Sequence, residues 1–192
     1  MSKSQKNKIK VPFDRSFYLL HPYNSSLITS NGTNGEINVM TVAWIIPVSV
    51  DPPLVAMSIR PERYSYKLII ERREFVVNIP TIDQVQEVLF CGRKSGKNLD
   101  KFQETSLTHQ KAKKVNVPII EECVAHLECE VLKTITLGSH VLIVGQIVEA
   151  YASDDCFKDV YNSSKFRPCL HIGKNLFTTC TKEIFKPHLS NH

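Results

Sequence analysis

Arg60, Arg63 and Ser65 fall within SIRPERYSYKL, residues 58–68, where an apolar run gives way to a segment that can begin a helix. The first turn of a helix leaves backbone N–H groups without partners, and the helix dipole favours negative charge there. Two guanidinium groups and a hydroxyl gathered at such a turn suit a phosphate. An ordinary capped surface helix with two solvated arginines accounts for this segment equally well, so other residues must decide.

CGRKSGKNLDKF, residues 91–102, is a second loop-like stretch. Gly92, Ser95 and Gly96 supply flexible backbone, and Arg93, Lys94, Lys97 and Lys101 supply positive charge for wrapping an anion. Neither a G-x-x-x-x-G-K-[ST] nor a G-x-G-x-x-G pattern occurs, which argues against a nucleoside triphosphatase and against a Rossmann cofactor domain. In NVMTVAW, residues 38–44, Asn38, Met40, Val42 and Trp44 share one side of a strand, with Val39, Thr41 and Ala43 on the other. Asn38 and Thr41 are costly to bury unpaired, and a ring with carbonyl and imide edges can satisfy them. His140 follows Gly138-Ser139 and Asn78 interrupts FVVNIP; each also suits a satisfied structural polar group. No Ser-His-Asp spacing, paired-carboxylate signature or zinc motif is present, so neither a catalytic side chain nor a metal ligand is assigned.

The elements that must position these residues are mostly strands. Asn31-Gly32 and Asn34-Gly35 lie between β-prone segments and predict a hairpin. Further strands are expected at 54–59, 74–80, 126–131 and 140–151, the last two pairing across TITLGS. Helices are expected over 64–73 and 82–90, the second with Thr81 and Asp83 as caps. Pro47, Pro52 and Pro53 are expected to make a fixed turn. Six or more short strands with few helices indicate a mainly β fold, a barrel.

The totals narrow the function classes. A chain of 192 residues, 42% hydrophobic and 22% charged, fits one globular domain over 13–192 behind a flexible basic tail over 1–12. The net charge of +5 owes much to lysines in MSKSQKNKIK and QKAKK, which have no interleaved aromatics, so nucleic acid is not an expected partner. No segment approaches the roughly 20 apolar residues of a membrane span, and the expected location is the cytoplasm. Six cysteines form no C-x-x-C pair; Cys129 reads as core, and Cys91 as structural or beside a ligand.

Taken in order, NVMTVAW, PVSVDPPLVAMSIRPERYSYKLI, EFVVNIP, CGRKSGKNLDKF, HLECEV and GSHVLIVGQIVEA resemble the flavin reductase-like family, from about residue 18 to about residue 180. Flavoredoxin-like and archaeal-type members are the nearest in pattern. The resemblance implies a Greek-key split β-barrel that binds FMN. It implies that Ser65 and Arg60 meet the phosphate, that Asn38 and Trp44 lie near the flavin ring and ribityl chain, and that Lys101 and His140 make further contacts. Thr41, Ala43, Ser58 and Asn78 are second-rank contacts, Ser95 and Gly96 belong to the loop, and Phe166 or Phe177 brings an aromatic ring from the C-terminal part. It further implies a homodimer with the flavin near the interface. NADH or NADPH is the expected electron donor, with flavin, ferric iron or a protein as acceptor. An electron carrier serving a redox protein partner without NAD(P)H turnover is the alternative, and a barrel that has lost its flavin is a third.

Overall fold

The computed structural model describes residues 7–185. The expected basic tail lies partly in residues 1–6, outside the described residues. A 3-10 helix, η1 (Phe13–Leu20), precedes β1 (Tyr23–Asn24) and was not expected from the sequence. β2 (Ser26–Asn31) and β3 (Ile37–Val42) form the hairpin that the Asn-Gly pairs predict, with Gly32 N–H donating to Glu36 O across its turn. β4 (Ile45–Ser49) and β5 (Leu54–Ile59) form a second hairpin.

Pro47 corrects an expectation: it sits inside β4 rather than in a turn. The reason is position, since β4 is the edge of its sheet and a proline there deprives no neighbour of a ladder hydrogen bond.

α1 (Tyr64–Arg72) packs Leu68 and Ile69, both fully buried, against the sheet and ends at Arg73 in the left-handed region. β6 (Glu74–Ile79) follows. Thr81 then caps η2 (Ile82–Gln84): its backbone N–H donates to Gln84 Oε1 and its Oγ1 accepts from Asp83 N–H, a capping box. The chain continues directly into α2 (Val85–Arg93). Cys91 consequently lies in the last turn of a helix, not at the start of a loop.

After the short β7 (His109–Gln110) and β8 (Ile119–Ile120), β9 (Ala125–Leu137) and β10 (His140–Ala152) make a long antiparallel pair. TITL belongs to β9, because its alternating β-branched residues extend the ladder and leave only Gly138-Ser139 at the tip. β11 (Leu170–Gly173) and β12 (Leu176–Thr178) join β1 in a small sheet.

The main sheet has seven strands in the order β3-β2-β6-β9-β10-β5-β4, every pairing antiparallel. Inward residues such as Ile28, Met57, Phe75 and Ile143 fill its interior with Ile69 of α1, and Cys129 is buried there as a small apolar residue. A second core, with Leu27, Val39, Val88 and Cys91, seats α2 on the other face of β2 and β3. β3 also touches β5, so the two ends of the sheet curve toward each other. The candidate site lies where they meet. Among the described residues no helix is long and apolar enough to cross a membrane.

Candidate functional site

A cleft of about 480 Å³ opens between the end of β3, the junction of β5 with α1, and the C-terminal end of α2. Its cations are Arg60, Arg63, Lys94 and Lys101, set against one carboxylate, Glu62. That balance favours an anion.

The anion would meet α1 at its N-terminus. Arg63 occupies the cap position with an extended backbone and no side chain caps the first turn, so the free N–H groups and the dipole face the cleft without competition. Ser65, in that turn, is 3% exposed, and its Oγ accepts a hydrogen bond from Asn38 Nδ2 at 2.7 Å. A hydroxyl that accepts in this way still has its proton to donate. Asn38 Oδ1 is buried without a partner. Gly96 is folded over it so closely that a Cβ at this position would lie 2.1 Å from Oδ1. Ser95 lines the same wall. Glycine is therefore a steric requirement of the site.

Lys101 is also 3% exposed, and its Nζ donates to Val39 O at 2.7 Å and Cys91 O at 2.9 Å. It thereby ties β3 to α2 and places an ammonium at the floor of the cleft. Burial pushes its pKa down to about 8 and pushes the neighbouring Cys91 thiol up to about 11, which keeps that thiol protonated at neutral pH. Thr41 Oγ1 donates to Val88 O at 2.5 Å, so its hydroxyl is already committed to seating α2. Ala43 leaves room beside Trp44, whose carbonyl accepts from Ser58 N–H at 2.9 Å, and the Trp44 and His140 rings lie 5.1 Å apart.

Two expected residues are not brought to the cleft. Asn78 is fully buried in the sheet, where Nδ2 donates to Leu27 O and Thr29 Oγ1 while Oδ1 accepts from Ile120 N–H and faces His126 Nδ1. It is spent on joining β2, β6, β8 and β9. Phe166 stacks on Tyr161 at 4.1 Å in another part of the fold. Phe177 approaches more closely, packing 5.3 Å from His171, itself a wall of the cleft.

The sequence reading missed Phe17, Tyr18, His21 and His171, which form one wall. The signal available was the cluster of rings in FYLLHP, too local to show what it packs against. A second cleft, of about 590 Å³, lies beside α2, but none of the side chains lining it holds a buried polar atom without a partner, and within it Ser106 Oγ donates to Glu87 and Arg93 to Lys174 O. Size does not single out the functional cleft; the unpaired Asn38 oxygen and the uncapped helix do.

Residues 18–170 match the family model for the Flavin reductase like domain, most of the chain. The chain belongs to the flavin reductase like domain family. This domain is 41% identical over 170 residues to an uncharacterized protein of Archaeoglobus fulgidus, a match covering 88% of this chain and 94% of that protein. Among solved structures, it is similar to an FMN-binding protein from Thermus thermophilus with bound 1-cyclohex-2-enone, at a TM-score of 0.80 and 28% identity, covering 97% of this chain and 100% of the other. A flavoredoxin from Methanosarcina acetivorans is similar at a TM-score of 0.82 and 26% identity, covering 94% and 95%. The fold of this flavin reductase like domain is thus the mainly β split barrel.

Proposed function

We propose that the cleft binds FMN and that the protein is an oxidoreductase passing reducing equivalents from NADH or NADPH to flavin, ferric iron or a protein acceptor. The observation that carries this reading is the Asn38–Ser65 pair at the uncapped start of α1, with one buried oxygen still unpaired. The residues fit the group. Ser65 Oγ–H, the first-turn N–H groups and Arg60 suit the phosphate, Lys101 suits an electron-rich ring edge, and Trp44 and His140 offer flat surfaces to a ring. FMN supplies the redox chemistry when bound, exchanging a hydride or single electrons. The chain's own part is to hold, orient and partly shield the ring, without a nucleophile or metal.

A second copy of the chain suits the apolar surface next to the cleft. Ile46 and Val48 on β4, with Leu132 and Leu137 on β9, are all exposed, and an edge strand with such residues calls for cover. We assign that role to a homodimer. All six cysteines are free thiols, which fits the cytoplasm.

The test is the visible spectrum of protein incubated with excess FMN and desalted, followed by anaerobic addition of NADH or NADPH. Retained flavin that bleaches supports the reductase. Retained flavin that stays yellow favours an electron carrier serving a protein partner, and protein that takes up no FMN in titration sinks both.

A further inference from the structure

The two Asn-Gly pairs of the β2–β3 turn sit in different surroundings. An asparagine followed by glycine is chemically labile, because the glycine nitrogen, uncrowded by a neighbouring Cβ, can attack the carbon of the asparagine amide. Local structure decides which pair reacts.

The first pair is protected. Asn31 closes β2, is 8% exposed, and donates from Nδ2 to Asn116 O at 3.1 Å. Gly32 is buried, its N–H donates to Glu36 O at 2.9 Å, and a Cβ there would lie 2.8 Å from Asn34 Oδ1. Neither residue can turn toward the other without opening the hairpin. The second pair is open. Asn34 and Gly35 are both exposed, Gly35 has a φ of +85°, and nothing lies within 4 Å of the place a Cβ would take. Gly35 N–H donates to Gly32 O at a longer 3.2 Å. Asn34 Oδ1 accepts the Glu36 N–H at 3.2 Å, a donor that stabilises the negative charge an attack on Cγ puts on that oxygen. Nδ2, the group that must leave, has only a long contact of 3.3 Å to Glu36 Oε2.

The same turn clamps α1. Thr33 donates to Glu71 from both its N–H and its hydroxyl, and Arg72 Nε donates to Gly32 O at 3.2 Å. At the other end of the helix, a hydrogen bond to Glu36 helps push the Tyr64 pKa up to about 12. The turn thus holds both ends of α1.

We propose that Asn34 is a site of spontaneous modification, deamidating to aspartate and isoaspartate, and that the products loosen the clamp between the hairpin and α1. The Gly35 nitrogen gives its proton to hydroxide and bonds to Asn34 Cγ; the Cγ–Nδ2 bond breaks, and Nδ2 leaves as ammonia with a proton taken from water. Water then opens the cyclic imide at either carbonyl, giving aspartate or an isoaspartate whose main chain runs through the side-chain methylene. Water is consumed, ammonia is released and nothing is oxidised or reduced. Either product sets a carboxylate beside Glu36 where Nδ2 had donated, and the isoaspartate also lengthens the backbone of the turn. The site does not depend on the FMN reading.

Full-length protein held in mildly alkaline buffer at physiological temperature, and sampled by peptide mapping with mass spectrometry alongside its melting temperature, tests the idea. Conversion at Asn34 should outrun conversion at Asn31 by at least about tenfold, because the surface turn opens at less cost than the end of a buried strand. The wild-type melting temperature should fall as the products accumulate. Asn34→Ser has no amide to lose and can keep the bond to Glu36 N–H, so its melting temperature should hold through the same incubation. No conversion at Asn34, or conversion at Asn31 at an equal rate, overturns the site. Products that accumulate with no fall in melting temperature, or an equal fall in Asn34→Ser, overturn the loosening of the clamp.

Discussion

Asn38 Nδ2 donates to Ser65 Oγ at 2.7 Å across 27 residues of sequence, tying the end strand of the main sheet to the first turn of α1. The bond fixes the serine rotamer and turns its hydroxyl proton away from Asn38. A buried amide that orients a hydroxyl in this way costs little ordering when an anion arrives.

Ser65→Ala should lower FMN affinity by about 1–3 kcal/mol, since a charge-assisted hydrogen bond to phosphate is lost. The melting temperature should also fall slightly, because Asn38 Nδ2 loses its partner. Ser65→Thr keeps the hydroxyl and should recover most of the affinity. Fluorescence titration of FMN checks this, and an unchanged affinity in the alanine variant removes Ser65 from the phosphate seat.

Gly96→Ala should be more damaging than its single methyl suggests, for that carbon would be placed 2.1 Å from Asn38 Oδ1 and 2.8 Å from its Cγ. Either the loop or the amide must move, at a cost of about 1–3 kcal/mol. The clash predicts non-additivity: Asn38→Ala with Gly96→Ala should bind FMN no worse than Asn38→Ala alone. Strictly additive losses would show that the two residues act separately.

Local signals made much of this architecture legible. The Asn-Gly pairs announced the β2–β3 hairpin, and Thr81 and Asp83 marked the start of a helix, because a turn or a cap is built from residues close in sequence. Pro47 misled because its meaning depends on strand order, which only the assembled sheet supplies. Asn78 was noticed as a polar break in an apolar run, but its partners Leu27, Ile120 and His126 come from three other strands. Phe17 and His171 come from opposite ends of the chain, and no spacing relates them. Arg60, Arg63 and Ser65, which line the cleft together, were readable as a group because they are neighbours in sequence.

Acid should unfold the protein through His126 and Glu128. Burial pushes the His126 pKa down to about 4, so the unfolded chain takes up a proton between about pH 6.5 and 4 that the folded chain refuses, and stability falls across that window. Burial raises the Glu128 pKa, but the N–H groups of Lys113, Lys114 and Val115 and the Tyr151 hydroxyl outweigh it and hold the carboxyl below its ordinary value of 4.5. Its contribution is full above that value and is lost as pH falls through the lowered one. The unfolding free energy from urea titrations should therefore decline from pH 6.5 downward, by about 3 kcal/mol for His126 alone, and His126→Gln should flatten the slope above pH 4.5. A wild-type stability that is level from pH 6.5 to 4 contradicts the assignment.

Lys101 gives the opposite window. Its folded pKa of about 8 lies below the ordinary 10.5, so the unfolded chain holds a proton between these values that the folded chain has released. Stability should thus rise between about pH 8 and 10.5, and below pH 8 the buried ammonium is carried at a cost of about 3 kcal/mol. Val39 O and Cys91 O take two of its three N–H groups, which leaves the third for a ligand in the cleft. FMN affinity should accordingly be level from pH 7 to about 8 and decline above it, as the ammonium loses its charge, even while the fold itself gains stability. Lys101→Met should weaken binding at pH 7, flatten the decline, and lower the melting temperature by stripping two buried carbonyls of their donor. Titrations of FMN from pH 7 to pH 10, paired with urea midpoints at each pH, separate the two effects. An affinity that does not change across pH 8 in the wild type would leave Lys101 a strut between β3 and α2 with no part in holding the ligand.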